Sequence, residues 1–513
     1  MAAAADRCGG RARSPRGVEP TVHALTRPPS KTQAGEGTKC PVRSVQSGLV
    51  LSSATNSIVD APRRPAADTP SGPGSRSSGR DRATFGRKRD MKKWKPAVCL
   101  VGAATAAVLV AGCSGDGEAA SEHTAASSKA AEPSIDLKVL NTGKYPTSPR
   151  PPFPRSTPAN ILQVEGQRMA EYIVVPFEID QDLTNAKLPT MVITGKNNMK
   201  AVMAPEPVDV PANDAVVGGY VATAGTPDSS LRAGNQRSIN NMVVRYLTPA
   251  DAGKAADQMA AASAKAENAT TTKIDGLPDT TVIKKDDGDK QTIMAYTPHN
   301  TYVLYQWYQT TTKQQDLLEP TIKKAVTLQG KLIDQFPATP TKAEAKAKGI
   351  EAKDPMIDQN KVLIYALPYS DEELKKSTGM PSGSMRAVYG PRGMAMTSSD
   401  PVTDFNVLSE VGSTANGVER STVYRARDDA GAKKIVDTFV AANRTQGMGN
   451  VAGPQGLPIA KCQSKAVNES TMFICLVQKG RYVGSVTSNN KADAYQQISA
   501  QYTILTKADQ NAK

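Results

Sequence analysis

Met242-Val243-Val244-Arg245-Tyr246-Leu247-Thr248-Pro249-Ala250-Asp251-Ala252-Gly253 reads as a strand that runs straight into a helix. Met242 to Tyr246 is apolar and β-branched, as a half-buried strand requires. Thr248 offers its hydroxyl as N-cap, and Pro249 takes the first helical position, where a missing N–H leaves nothing unpaired. Ala252, Ala255, Met259 and Ala262 then recur at helical spacing along one face. Beyond them come Gly276-Leu277-Pro278, a strand to about 283 and a turn at Asp286-Asp287-Gly288-Asp289. A strand pair over 292–296 and 301–307 follows, and a long amphipathic helix over 317–336 closes the series.

The same order returns downstream. Ser421-Thr422-Val423-Tyr424-Arg425 is the strand, Asp428 or Asp429 caps a helix carrying Ile435, Val436, Phe439 and Val440, and Gly456-Leu457-Pro458 follows. Strands over 472–477 and 482–486 flank a Lys479-Gly480 turn, and a helix over 492–505 ends the unit. Asp251-Ala252-Gly253 maps to Asp429-Ala430-Gly431 at an offset of 178, and Gly276-Leu277-Pro278 and Tyr302-Val303 map to Gly456-Leu457-Pro458 and Tyr482-Val483 at 180. One such match is cheap, but five elements in one order at a nearly constant offset mark a duplication. The expected fold class is α+β: two repeated β-α-β-β-β-α units with mostly antiparallel sheets and helices packed on one face. An N-terminal α+β domain over 135–340 and a C-terminal α+β domain over 341–513 follow, with Pro337-Ala338-Thr339-Pro340 and the Lys/Ala/Glu run to Lys353 as the hinge.

Upstream of the first domain the chain carries an export signal. Lys92, Lys93 and Lys95 precede an uncharged stretch of 17 residues from Pro96 to Gly112, and Leu109-Val110-Ala111-Gly112 runs into Cys113. A basic start, an apolar middle and small residues before the cut make a secretory signal. Seventeen Ala- and Gly-rich residues fall short of the usual ~20 for a spanning helix. The stretch resembles a bacterial lipobox, which implies cleavage before Cys113 and diacylglycerol on its sulfur. The segments are then a lipoprotein signal peptide over 91–112 and a flexible Ser/Ala/Glu tether over 113–134. Residues 1–90, rich in Arg, Pro, Ser and Gly without periodicity, read as disordered and as a gene-start extension ahead of an initiator at Met91.

Charge agrees with that division. Of 63 Lys and Arg, 19 lie before Cys113, but only 7 of the 49 Asp and Glu do, so the part from Cys113 onward carries a net charge of about +2. A nucleic-acid partner needs a basic face on the folded part, and the count argues against one. Of six cysteines, Cys8, Cys40 and Cys99 precede the cut and Cys113 takes the lipid. Cys462 and Cys475 remain as an even pair in an oxidising compartment, where a disulfide is expected. At the 180 offset they fall on Val282 and Ala295, which flank the Asp286 turn, so the two strands must be neighbours for the bond to form.

With these residues in view the chain resembles a family of two-domain lipoproteins from mycolic-acid-bearing actinobacteria. The lipobox, the Asp136 to Arg150 stretch, Gln329-Gly330-Lys331-Leu332-Ile333-Asp334-Gln335-Phe336-Pro337-Ala338-Thr339-Pro340 and Gly480-Arg481-Tyr482-Val483 carry the resemblance over 113–513. The C-terminal half is more weakly similar to the extracellular sensor domains of actinobacterial receptor kinases. The resemblance implies the extracytoplasmic face of the cell membrane as location and brings no catalytic residues with it.

Chemistry is sparse. Beyond the cut, histidine occurs only at His123, in the tether, and His299, in the expected turn Thr297-Pro298-His299-Asn300, so neither a Ser-His-Asp triad nor a metal site assembles. Gly447-x-Gly449-x-x-Ala452 has dinucleotide-fingerprint spacing but follows a helix and precedes Gly453-Pro454, so it reads as a loop. Ser488-Asn489-Asn490 caps the last helix, and Asp286 to Asp289 is a turn rather than a Ca²⁺ loop. No catalytic residue, metal or cofactor is expected. Tyr302, Tyr305, Trp307 and Tyr308 are the candidate binding aromatics: Tyr305 and Trp307 share one strand face, Tyr302 and Tyr308 the other. The expected role is non-enzymatic, a lipid-anchored envelope module that binds a lipid, a glycan or an envelope protein. The alternative is an envelope hydrolase or transferase, which requires two carboxylates in one cleft.

Overall fold

The computed structural model describes residues 134–186, 189–376 and 385–512. Cys113, the signal peptide, residues 1–90 and the tether up to 133 lie outside them. Among the described residues no helix is long and apolar enough to cross a membrane.

Two antiparallel sheets form the scaffold of an α+β protein. Strands β1 (Asn185–Ala186), β2 (Met191–Ile193), β3 (Val216–Gly225), β4 (Arg237–Tyr246), β5 (Thr271–Ile274), β6 (Leu277–Asp286), β7 (Lys290–His299) and β8 (Tyr302–Thr311) build lobe one. Lobe two holds β9 (Ala387–Tyr389), β10 (Ala415–Val418), β11 (Thr422–Arg425), β12 (Gly449–Val451), β13 (Lys461–Val467), β14 (Ser470–Lys479) and β15 (Tyr482–Ser488). The spatial order β2-β3-β4-β8-β7-β6-β5 is repeated as β9-β10-β11-β15-β14-β13-β12, with β1 added beside β3 in lobe one. The duplication therefore spans whole lobes, further than the repeated sequence motifs reach.

The repeated residues have repeated jobs. Thr248 and Asp428 cap the helices Pro249–Ala266 and Asp429–Thr445, accepting from the N–H of Asp251 (3.1 Å) and of Gly431 (2.7 Å). Gly276 and Gly456 both sit at positive φ, +79° and +81°, where a side chain would be strained, which explains why each Gly-Leu-Pro keeps its glycine. Arg245 lies opposite Tyr302 and Arg425 opposite Tyr482. Val282 lies directly opposite Ala295, and Cys462 opposite Cys475, which are joined as a disulfide with Cα atoms 4.1 Å apart.

The helices correct one detail of the expected plan. They lie on opposite faces of each sheet rather than on one. In lobe one, Ile293, Ala295, Leu304 and Tyr308 pack with the helix Leu318–Ile333, while Met294, Tyr296, Val303 and Tyr305 pack with Pro249–Ala266. Lobe two repeats this, with Cys475 and Val477 toward the helix Lys491–Leu505 and Ile474 and Leu476 toward Asp429–Thr445. Each unit also gains a short strand, β5 or β12, so Gly449, expected in a loop, sits in an edge strand paired with Ser464.

Domain borders shift too. Residues 136–153, expected to open the N-terminal domain, form a strap on lobe two: Leu140 and Tyr145 enter its core, with Phe153 against its edge. Tyr145 donates to Asp493 Oδ1 (2.5 Å), and Arg150 donates to the carbonyl of Leu363 (2.8 Å). The chain then crosses to lobe one near Thr157, so lobe one is an insertion between two parts of lobe two. The expected hinge is pinned. Thr339 donates from its N–H and hydroxyl to Glu165 (2.6 and 2.9 Å), and Arg245 donates to the Thr339 carbonyl (2.8 Å).

Candidate functional site

Both lobes carry the same buried polar clasp, which rigidifies the sheet that any site must rest on. In lobe one, Gln329, wholly buried, accepts at Oε1 from the Val174 N–H and from Asn241 Nδ2 (2.9 Å each). Its Nε2 donates to the Tyr172 carbonyl (2.8 Å). In lobe two, Gln501 accepts from the Ser421 hydroxyl (2.5 Å), donates to the Tyr365 carbonyl (3.0 Å), and Ser421 accepts from the Leu367 N–H (2.7 Å). Asn241 and Ser421 stand at the same offset of 180, and Tyr172-Ile173-Val174 corresponds to Tyr365-Ala366-Leu367. A buried amide facing two backbone groups satisfies both at once, where an apolar residue would leave them unpaired.

Within lobe one the strand of candidate aromatics is mostly interior. Tyr305 and Tyr308 are buried on opposite faces and Tyr302 nearly so, each under a helix, and burial holds all three phenols above their ordinary range. The alternation along the strand is as the sequence implied, but neither face is free over these three tyrosines. Trp307 differs. It is half-buried and borders a cleft of about 390 Å³ together with Pro189, Lys200, Val202, Met203 and Asn240. Asn240 stands opposite Trp307 on the neighbouring strand and donates to the Val202 carbonyl (3.2 Å).

A second cleft of about 160 Å³ adjoins the first, and Ser238 lines both. Its wall includes Thr226, Arg237, Gln309 and Thr310, with Lys290 and Leu231 exposed at the rim. Arg237 is buried and held by Asp180 (2.6 Å) and Asp182; burial pulls the Asp180 carboxyl upward, but the bond and charge of Arg237 and the Asp182 N–H together hold it below its ordinary value. The guanidinium charge is thus neutralised within the protein. Thr310 is 1% exposed, and its hydroxyl finds no partner in the protein. Asp228 is the one acid among the residues lining the polar cleft, and none lines the Trp307 cleft. Neither cleft therefore offers a carboxylate pair.

The remaining residues singled out by sequence are structural. His299 closes β7 rather than sitting in a turn, and its Nε2 lies 2.7 Å from Asp334 Oδ1. Asn490 caps the last helix by accepting from the Asp493 N–H (3.0 Å), with Ser488 donating to the same Asp493 (2.7 Å). Among the described residues no three His, Cys, Asp or Glu side chains gather to hold a metal ion.

Sequence reasoning missed the joint between the lobes. Phe177 packs edge-on against Phe405 with centroids 5.6 Å apart, and Ala395 and Met396 of lobe two enter the core of lobe one. Glu171 accepts from the N–H groups of Arg392 (3.1 Å) and Gly393 (3.3 Å), and Arg392 also pairs with Glu178. Burial pushes the Glu171 carboxyl up to about 7, the N–H bonds and Arg392 opposing it only in part. Asp404, enclosed on the helix Pro401–Glu410, is likewise raised to about 7 by burial. Between the ordinary carboxyl range and about 7 the folded state binds more protons than the unfolded state, so stability falls as pH rises through that window. Urea midpoints measured from pH 5 to 8 should decline with pH. Glu171→Gln, which keeps the acceptor and removes the titration, should flatten the slope and leave the share due to Asp404.

Comparison with known proteins fits this two-lobe plan. Residues 152–348 match the model of the domain of unknown function DUF7373, N-terminal, and residues 369–508 match its C-terminal counterpart. The chain belongs to the two-domain DUF7373 family. The family's two parts coincide with lobe one and with the greater part of lobe two, leaving the strap ahead of the first match. No curated protein matches the chain. Among solved structures, the extracellular domain of PknH from Mycobacterium tuberculosis is similar at 12% identity and a TM-score of 0.22, over 33% of this chain and 95% of that one. At that score the likeness is too faint to transfer anything between the two proteins.

Proposed function

We propose that this DUF7373 protein is an extracytoplasmic envelope lipoprotein, anchored through diacylglycerol on Cys113, that works as a non-enzymatic binding or accessory module. The observation that carries the reading is the pair of adjoining clefts on lobe one. They combine an aromatic edge at Trp307 with hydroxyl and amide groups, and no two carboxylates share either of them. A binding site needs apolar surface with a few placed polar groups, whereas a glycosidase-like hydrolase needs two acids in one cleft. The lipobox-like Leu109-Val110-Ala111-Gly112-Cys113 supports the location.

Two measurements test the proposal. Cys113→Ser should move the protein from the membrane fraction to the soluble fraction, because two acyl chains hold stably where a single chain holds only marginally. Retention of the Ser variant in the membrane would replace the lipid anchor by a spanning segment. Native protein extracted with its lipid should also carry a ligand, read by lipid and glycan mass spectrometry, that is lost on Trp307→Ala. Turnover of that ligand by purified protein would overturn the non-enzymatic reading.

A further inference from the structure

We propose that lobe two docks on an anionic membrane surface through the face around the 3₁₀ turn Leu137–Val139. Leu137 and Val139 enter the headgroup boundary, and Lys138, Lys144 and Lys461 face the lipid phosphates. This rests on the lipid-anchor part of the reading above and adds to it the side of the molecule that meets the membrane.

The turn is set by its flanks. Asp136 caps it, its carboxylate accepting from the Lys138 N–H (2.9 Å), and Leu140 just beyond enters the second core. Held at both ends, it leaves Leu137 37% and Val139 60% exposed. Of the large apolar residues exposed among the described ones, these are the two that share a turn. Val139 lies against Gly456, where a Cβ would come within 2.9 Å of it, so the strap is seated on the same glycine that needs a positive φ. On that loop Pro458 is exposed and Ile459 half-buried. At the loop's other end Tyr495 donates to the Ala452 carbonyl, with Lys491 over its ring (5.5 Å).

Charge and chain path select the occupant. Residues 134–148 and 449–461, the two segments that meet here, carry Lys138, Lys144 and Lys461 against one acid, Asp136. All three lysines are exposed, and among the described residues none enters an ion pair. Asp493, on the helix Lys491–Leu505, is engaged by Tyr145 and Ser488. The described chain begins at Ser134, 21 positions after Cys113 and just ahead of the turn. Even fully extended, that stretch spans no more than about 75 Å. A lipid on Cys113 therefore keeps the turn near a bilayer, and a patch too weak to bind alone is filled as an intramolecular contact. Two apolar side chains fall far short of the ~800 Å² that each partner buries in a stable protein interface, which argues against a second copy or another protein. A bilayer asks for no matching shape: apolar tips enter it, and lysines reach the headgroups along their stems.

The test uses the native lipidated protein with Gln455→Cys, an exposed position beside Gly456, carrying an environment-sensitive fluorophore. Cys8, Cys40 and Cys99 are replaced by serine, and Cys462 and Cys475 are bonded to each other, so one thiol takes the label. Leu231→Cys, exposed on lobe one, is the labelled control. In vesicles of phosphatidylcholine with about 30% phosphatidylglycerol the label at 455 should report an apolar surrounding and the label at 231 water. Leu137→Ser with Val139→Ser should lower the ratio of docked to free protein about tenfold. Lys138→Gln and Lys144→Gln should lower it about fivefold each, and pure phosphatidylcholine by more than either. Unfolding midpoints should not change, because these side chains lie outside the core. A label at 455 that stays in water, or that responds alike in the Leu137→Ser, Val139→Ser protein, would overturn the docking and leave the anchor standing. An equal response at 231 would show adsorption without a preferred face and overturn it too. A response in detergent alone that grows with protein concentration would give the face to a second copy instead. An unacylated Cys113 in the mass spectrum would remove the anchor reading, and the same labelled chain added to vesicles from solution would still decide the docking.

Discussion

Replacing Gln329 by leucine is expected to destabilise the protein by about 3–5 kcal/mol, the sum of two or three buried polar groups left unpaired. Leucine fills a similar volume, so the loss is not one of packing. Gln329→Leu strands the Val174 N–H and the Tyr172 carbonyl, both of which it alone joins to the helix Leu318–Ile333, and it frees one of two acceptors of Asn241 Nδ2. Asn241 in turn supports Gln306, whose Nε2 donates to its Oδ1 (3.1 Å), so the disturbance reaches β8. The counterpart Gln501→Leu should behave alike in lobe two, where it strands the Tyr365 carbonyl and removes the acceptor of the Ser421 hydroxyl, which keeps only the bond it accepts from the Leu367 N–H. Chemical unfolding of both variants checks this. Equal losses within about 1 kcal/mol would support equivalence of the two clasps, and a neutral Gln329→Leu would show that the backbone groups find other partners.

The second large effect belongs to the disulfide. Cys462→Val with Cys475→Ala installs in lobe two the residues that lobe one uses at the same places, Val282 and Ala295. Packing is thereby kept close to a tested solution, and the cross-link is what is lost. A bond closing a separation of 13 residues restricts the unfolded chain by about 3 kcal/mol on the chain-entropy model. The double variant should lose about that much against the oxidised parent and nothing further on adding reductant. Conversely, Val282→Cys with Ala295→Cys places thiols on directly opposed residues of β6 and β7, and should oxidise without a catalyst. Free thiols in that variant would show that the two hairpins differ in geometry despite their shared register.

This pairing was legible in the sequence because the offset of 180 is constant across the hairpin, so one repeat could be read through the other. Caps were legible for the same local reason: Thr248, Asp428 and Asn490 act within one helical turn of themselves. The burial of both sheet faces was also written there. Ile293-Met294-Ala295-Tyr296 and Val303-Leu304-Tyr305 are unbroken apolar runs, the mark of a strand covered on two sides, rather than the alternation of one covered side. The upstream half of the duplication stayed hidden. Tyr172 and Tyr365 are 193 apart, Gln329 and Gln501 only 172, because the helices and loops between strands differ in length, and a fixed-offset comparison passes over them. The clefts were hidden for another reason. They draw on β3, β4, β8 and the loops near Pro189 and Thr226, and only Trp307 announced itself by residue type. Glu171 looks like any surface acid until the second lobe covers it, and Asp404 until Tyr424 and its own lobe pack around it.

The strap has a consequence for how the molecule is assembled during synthesis. Tyr145 reaches Asp493 across 348 positions of chain, so the first described segment to emerge docks on a helix that emerges almost last. At ~5–20 residues per second that is a wait of about 20–70 s. Throughout it Leu140 and Tyr145 have no complete core to enter, while the strands and clasp of lobe one are all made once the helix Leu318–Ile333 has emerged, and its core then waits only for Ala395 and Met396. Closure of so long a loop comes late in folding, and it is this step that shuts the second core. The order of events is thus built into the chain path: the strands of lobe one first, then the scaffold of lobe two, and last the strap, whose docking waits for the helix Lys491–Leu505.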